Sequence, residues 1–393
     1  MKRAIPILLG LGAVLLTSCI PDGPHSEVLE NDRPVAGMTF AQGNEPFKEH
    51  IFRFTGTGGE YLVTVSPDDD GLTIGIEDKD YERTTTHISP PEGYRVYLPD
   101  LQSDHAAAVN VISNDLTDEE MPGIMQFTFL LSDGPVSSPK VISRFYTIDG
   151  SGLRDIEIFD TTQEKGERSH LEYLDRVQLN HTEPDKFIYE ISVDDTDIYD
   201  DQGHFIPIED RVKIKLLVFD KRSLTMKIVC REIRESDPLY FGYAYWAAAN
   251  TAAQYFTVSL LPDTDYTSGT PTDDGTYYTV QSERFRTLAD LYMYLLTVFS
   301  EDRAAELYRE APQGYRDIDG RLCTRDMVMT PDKTLGTLTF TDMYITDTTM
   351  LFYSRQVKTD SDGNVTGYTD GGNFIISCRE SDEWLVTDYR YPY

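Results

Sequence analysis

Arg284–Tyr308 reads RFRTLADLYMYLLTVFSEDRAAELY, and its reading decides the fold of the C-terminal third. Thr287 is a good N-cap, and Asp290 at the third helical position completes a capping-box arrangement. Leu288, Leu291, Leu295 and Val298 recur at helical spacing, with Tyr292 and Phe299 beside them, so one broad face is apolar. Ser300 can cap a second turn, with Glu301 and Asp302 favourably placed in its positive first turn. Ala304, Ala305, Leu307 and Tyr308 continue the pattern. The stretch predicts two short helices or one bent helix lying on an apolar surface.

The residues after Tyr308 supply that surface. Asp319-Gly320 is a hairpin signal, LGTLTFTDMYI alternates through Leu338 and Phe340, and TTMLFYSRQVKT and YTDGGNFIISCRES flank the turn DSDGN at 360–364. EWLVTDYRYPY closes the chain. Helix first and then four or five antiparallel strands predicts an α+β domain, a helix packed on a curved antiparallel sheet in a cystatin-like or NTF2-like arrangement. The stretches RFRTLADLYMYLLTVFSEDRAAEL, YRDIDGRLCTRD and EWLVTDYRYPY, in that order, resemble the DL-endopeptidase inhibitor domain of the IseA type. The resemblance covers residues 274–393, about a third of the chain. Cys323 stands where an aromatic is more usual in that family, and DMVMTPDKT departs from its Gly-rich turn. The resemblance implies a non-catalytic domain that covers the groove of an NlpC/P60-type endopeptidase of the cell wall.

The N-terminus bears on compartment. Lys2 and Arg3 precede an uncharged apolar run, Ala4 to Leu16, too short to span a bilayer comfortably. Leu16-Thr17-Ser18-Cys19 resembles a bacterial lipobox, which implies cleavage after residue 18 and lipidation of Cys19. Residues 1–18 are thus expected to be a lipoprotein signal peptide and 19–35 a tether. The mature chain is expected outside the cytoplasm, anchored by lipid to the outer face of the cytoplasmic membrane at the cell surface.

The net charge of −32 excludes nucleic-acid binding of the ordinary kind, which needs cationic side chains to displace counterions. Residues 274–393 hold 20 acidic and 12 basic side chains, net −8, so most of the excess lies upstream. Residues 36–133 carry short strand-like runs between turn signals, and Tyr61, Val63 and Val65 alternate with Leu62 and Thr64, predicting a β-sandwich-like module. Residues 140–260 read as a second β-rich module. RVKIKLLVFDKRSLTMKIVCREI predicts a hairpin turning at Asp220 to Ser223, and the charge-free YFGYAYWAAANTAAQYF (Tyr240 to Phe256) predicts a buried helix packed on that sheet. Residues 261–276, LPDTDYTSGTPTDDGT, read as a linker.

Chemistry-bearing residues are sparse. Asp149, Ser151 and Asp155, and the run Asp194, Asp195, Asp197, Asp200 and Asp201, have spacings loosely like calcium loops but lack the full EF-hand pattern. Asp is equally a turn residue, so neither cluster is assigned a metal. Cys230, Cys323 and Cys378 remain after Cys19; a Cys323–Cys378 bridge is one alternative, and Cys378 as a packed apolar residue is the other. Asp342 and Tyr344 flank one strand of a scaffold that hosts enzymes elsewhere, but all seven histidines (His25, His50, His87, His105, His170, His181 and His204) lie upstream of it. That C-terminal domain has no zinc spacing, phosphate-binding loop or nucleophile elbow, and the Tyr240–Phe256 stretch carries no cofactor signature. The expected function is therefore binding without catalysis. The leading reading is binding and inhibition of a wall endopeptidase; the alternative is a surface ligand-binding lipoprotein whose NTF2-like sheet presents a pocket lined by Tyr and Trp384.

Overall fold

The computed structural model describes residues 50–68, 70–96, 109–112, 122–132, 141–150, 152–162, 168–175, 180–183, 185–195, 198–257, 264–310, 314–325, 335–359, 365–379 and 383–390. The signal segment, Cys19 and the tether lie outside the described residues. The chain is mostly β, with several antiparallel sheets and four helices among the described residues.

The first layer is an antiparallel meander of β1 (His50–Gly56), β2 (Gly59–Asp68), β3 (Gly71–Glu77) and β4 (Arg83–Ile88). Val63 and Val65 point inward and Leu62 outward, following the period-two pattern of the sequence. The second sheet holds β5 (Tyr94–Val96), β6 (Val109–Ile112), β7 (Ile124–Leu131), β8 (Val141–Asp149) and β9 (Gly152–Asp155). Phe52, Phe54, Val63, Ile74, Phe127, Phe129, Ile142 and Ile148 fill the space between the two sheets. The first β unit therefore runs past residue 133, because β8, expected to start the second module, pairs with β7 along six residues.

This second sheet is covered on both faces. Ile142, Tyr146 and Ile148 face the first layer, while Phe145 and Ile124 join Ile158, Phe187, Leu217, Phe219 and Met226 in a separate buried cluster. Those last residues belong to a third sheet built from β10 (Glu157–Asp160), β11 (Ser169–Leu171), β12 (Asn180–Glu183), β13 (Lys186–Val193), β14 (Val212–Asp220) and β15 (Thr225–Arg231). Its order is β11-β10-β15-β14-β13-β12, with β10 and β15 parallel and the other pairs antiparallel. A single-turn helix, α1 (Ile208–Arg211), leads into β14. The β14–β15 hairpin turns at the expected place, where the Asp220 carboxylate accepts the backbone N–H of Arg222 at 3.0 Å.

The charge-free stretch forms α2 (Pro238–Thr257). It packs against β13 and β14, as expected, but equally against a sheet far down the chain. That sheet runs β20 (Leu335–Ile345), β21 (Thr349–Thr359), β22 (Val365–Cys378), β23 (Trp384–Asp388), antiparallel and in chain order. A charge-free helix belongs in a core, and here two sheets flank it, leaving Trp246, Asn250 and Gln254 as a half-buried stripe. Between α2 and β20 stand β16 (Thr264–Thr272), β17 (Gly275–Val280), α3 (Leu288–Leu296), α4 (Glu301–Glu310), β18 (Tyr315–Ile318) and β19 (Arg321–Arg325).

Two expectations change here. Most of the polar stretch 261–276 is not a linker: Thr264–Thr272 is the outer strand of a sheet ordered β16-β17-β19-β18. Its Thr, Ser and Gly suit a solvated edge strand, and Pro271 is tolerated at an edge because it need not donate to a neighbour. The strands after the helices also do not form one sheet. β18 and β19, turning at Asp319-Gly320 with positive φ at both residues, complete the β16–β17 sheet, and the later four strands form their own. The helix laid across β20–β23 is α2 rather than α3 or α4. Gly242 permits the close seat, since a Cβ there would stand 2.4 Å from the Phe352 ring. The segment between α3 and α4 instead borders β23, with Ser300 N–H donating to Val386 O at 2.9 Å and Val386 N–H to Val298 O at 2.9 Å.

The capping box is as the sequence predicts. Thr287 Oγ1 accepts the Asp290 N–H at 3.3 Å, and the Asp290 carboxylate accepts the Thr287 N–H at 2.9 Å. One buried cluster runs from Ile188 through α2 to Tyr389, crossing residues 261–273.

Candidate binding surface

The residues singled out by the sequence mostly have structural partners. Asp149 is paired with Arg154 and Asp155 with Arg144, each at 3.2 Å, so the β8–β9 hairpin holds its carboxylates against arginines. Burial raises the Asp155 pKa and Arg144 opposes that. Ser151 and Asp197 lie outside the described residues. Asp200 caps its own turn, accepting the Gln202 and His204 N–H groups at 2.8 Å and the His204 ring at 3.3 Å. Asp195 turns inward to Tyr255. Among the described residues no group of three or more His, Cys, Asp or Glu is placed to hold a metal ion.

No disulfide joins Cys323 to Cys378, which lie in different sheets. Cys323 is buried with its Sγ 3.8 Å from Thr279 Oγ1 and 3.6 Å from Arg321 O. Trp384 is buried edge-on against Phe241 of α2 at 5.8 Å between centroids. Tyr243 of the same helix is buried, and its hydroxyl oxygen accepts the Phe340 N–H at 3.1 Å. The α2-facing side of the sheet is thus filled with aromatic rings.

On the opposite side of β20–β22, exposed and half-exposed side chains gather among the described residues. Along β21 the side chains alternate, with Met350, Phe352, Ser354 and Gln356 buried, and Leu351, Tyr353 and Arg355 turned outward. Register places Tyr344, Leu351 and Ile375 in one row across three strands. Asp342, Tyr353 and Asn373 form the next row, and Arg355 stands opposite Asp370. Tyr344 is 63% exposed, and Tyr353 and Tyr368 are each 43% exposed. Alternate residues on a strand stand roughly 7 Å apart, so these rings are spread as a platform along the sheet. Arg355 stacks on the Tyr368 ring at 4.0 Å and holds it against the sheet. Asp342 is held at the edge, where its carboxylate accepts the Met343 N–H at 2.8 Å.

The sequence points to Asp342 and Tyr344, and the fold places both on this platform. It does not single out Leu351, Tyr353 and Tyr368. Their signal is nonetheless present: TMLFYSRQVKT carries large apolar or aromatic residues at both phases of its alternation, which a strand with one wet face does not need. Rigid aromatic rings, a guanidinium and a few acidic groups on a sheet suit recognition of another macromolecule. No family model matches the chain, and no curated protein matches it. No described helix is long and apolar enough to cross a membrane.

Proposed function

We propose that the chain is a lipid-anchored protein of the bacterial cell surface that binds another protein and catalyses nothing. Its contact surface is the outer face of β20–β22. The partner is a cell-wall DL-endopeptidase of the NlpC/P60 type, whose groove the domain covers and inhibits. The observation that carries this reading is the exposed tyrosine platform within the stretch that resembles the inhibitor family. The cystatin-like or NTF2-like assignment of residues 274–393 rests on the same resemblance alone, since the helix that covers the four-stranded sheet, α2, lies upstream of them. Inhibition of this kind needs shape and rigidity, which a sheet backed by a packed helix supplies.

The test is hydrolysis of muropeptides by purified wall endopeptidases with residues 20–393 added. Stoichiometric inhibition is expected, and replacement of Tyr344, Tyr353 and Tyr368 by Ser weakens it by about 30-fold or more, the loss of one binding hot spot. Absence of inhibition across several such enzymes refutes the reading. Anchoring is checked separately: mass spectrometry of the native protein shows a diacylglyceryl group on Cys19, and Cys19→Ala releases the chain from membranes.

A further inference from the structure

Charged side chains cluster inside the fold where α1, α2 and α3 meet. Arg211 is 3% exposed. One of its terminal nitrogens lies 3.5 Å from both the carbonyl and the hydroxyl of Thr297, at the outer limit of a hydrogen bond. Its Nε and Nη1 are buried with no hydrogen-bond partner among the described residues. Nearby, Arg284 reaches Asp195 Oδ2 at 3.3 Å, stacks on Phe285 and Tyr294 at 4.0 and 4.5 Å, and leaves its own buried Nε without a partner among the described residues.

Burial weighs most on Arg211; the Asp195 charge acts favourably on it from beyond ion-pair distance and is shared with Arg284. Asp195 Oδ2 also accepts the Tyr255 hydroxyl at 2.6 Å, and Glu209 accepts the Tyr245 hydroxyl at 3.0 Å. Neither makes an ion pair with Arg211. A guanidinium does not shed its proton inside a protein, so its charge has to be met rather than titrated away. Burying such a group without a directly paired counter-charge costs several kcal/mol. Water can complete hydrogen bonds but brings no charge, and Arg284 adds a second positive charge to the same region.

We propose that Arg211 binds a small inorganic anion of the halide class inside the fold, with the Arg284 charge favouring its entry. The ion would tie α1 and β14 to the helix pair α3–α4 through Thr297. This site is independent of the tyrosine platform, and its failure would leave the binding reading untouched.

The probe is bromide. Crystals of residues 20–393, which keep every described element, are soaked in sodium bromide and measured at the bromine absorption edge. An anomalous peak within about 3.5 Å of the Arg211 guanidinium is expected, since halide contacts run somewhat longer than the N–H···O distance. In solution, melting of the same protein in sodium chloride is compared with sodium gluconate at equal ionic strength. A saturable rise of about 2–4 °C with chloride is expected, and Arg211→Met, if it folds, loses it. The proposal is overturned by a water without anomalous signal at that position. It is overturned equally by the Asp197 carboxylate seated on Arg211, or by melting that follows ionic strength alone.

Discussion

Substituting Gly242 by alanine isolates the contact on which the C-terminal architecture depends. The added Cβ would lie 2.4, 2.5 and 3.0 Å from three atoms of the Phe352 ring. Ordinary contact begins near 3.4 Å, so ring or helix must retreat by about 1 Å. Phe352 has nowhere to go, being fully buried with Phe340 and Phe374 rings at 4.7 and 6.0 Å. Two effects oppose each other. Gly→Ala inside a helix gains about 1 kcal/mol of propensity, whereas overpacking a filled core costs about 1–3 kcal/mol. Overpacking wins here because the obstacle is a hemmed-in ring and not a flexible chain end. Gly242→Ala is therefore expected to lower stability by about 1–2 kcal/mol in urea unfolding of residues 20–393. Phe352→Ala alone should cost about 3–5 kcal/mol. The double variant should cost less than the sum, because the alanine methyl enters space the ring vacates; a coupling above about 0.5 kcal/mol marks the contact as direct. A Gly242→Ala protein as stable as the parent, or more stable by the propensity gain, would mean that α2 does not seat on β21, and the layered arrangement would fall with it.

Thr287→Ala removes the N-cap of α3 and is expected to cost about 1 kcal/mol, read by the same unfolding curve; Thr287→Ser should recover most of it. Burial pushes the Tyr146 phenol up to about 12, against the pull of Arg144, and raises Tyr245, Tyr255, Tyr294 and Tyr315 as well. A raised phenol favours the folded state while it keeps its proton, so this stabilisation is complete below about pH 10, the unfolded value, and is lost as pH climbs above it. Absorbance at the phenolate band and far-UV circular dichroism should then show the buried tyrosines ionising together with unfolding; full ionisation with the dichroism intact would contradict the packing. With no disulfide among the described cysteines, reductant should leave the melting temperature unchanged. A thiol reagent should modify exposed Cys230 in the native state and buried Cys323 only on unfolding.

Local signals are legible in the sequence because they depend on a few neighbouring residues. The Thr287–Asp290 cap, the turn at Asp220 and the Asp319-Gly320 hairpin each follow from side chains within four positions of one another. Partners far along the chain are not legible. VISRFYTID alternates as a strand should, yet nothing in it says whether Ile142 and Ile148 will meet strands before or after it. The Tyr240–Phe256 stretch announces burial but not that both of its sides are covered. Thr264–Thr272 reads as a linker because a solvated edge strand and a linker share a polar composition, and only the partner strand β17 separates them. The platform is half visible through Asp342 and Tyr344. Tyr353 and Tyr368 need the register of β21 against β20 and β22, which no single strand encodes.

The shared core bears on how such a surface could work. Three buried clusters link successive layers, from the β1–β4 meander to the β20–β23 sheet. The last of them places Phe241, Gly242 and Tyr243 of α2 against Phe340, Phe352 and Phe374, so the sheet that presents Tyr344 and Tyr353 is backed by a helix from the preceding module. A fragment confined to 274–393 would lose that backing and expose Phe352, Phe374 and Ile376, an apolar face that soluble monomers do not present. The upstream module, through α2, is therefore part of what supports the platform, beyond any role as a spacer. Recognition by a platform gains from such backing, because side chains already fixed in position lose less entropy when a partner arrives. Arg355, stacked on Tyr368 before any partner binds, is the local form of the same effect.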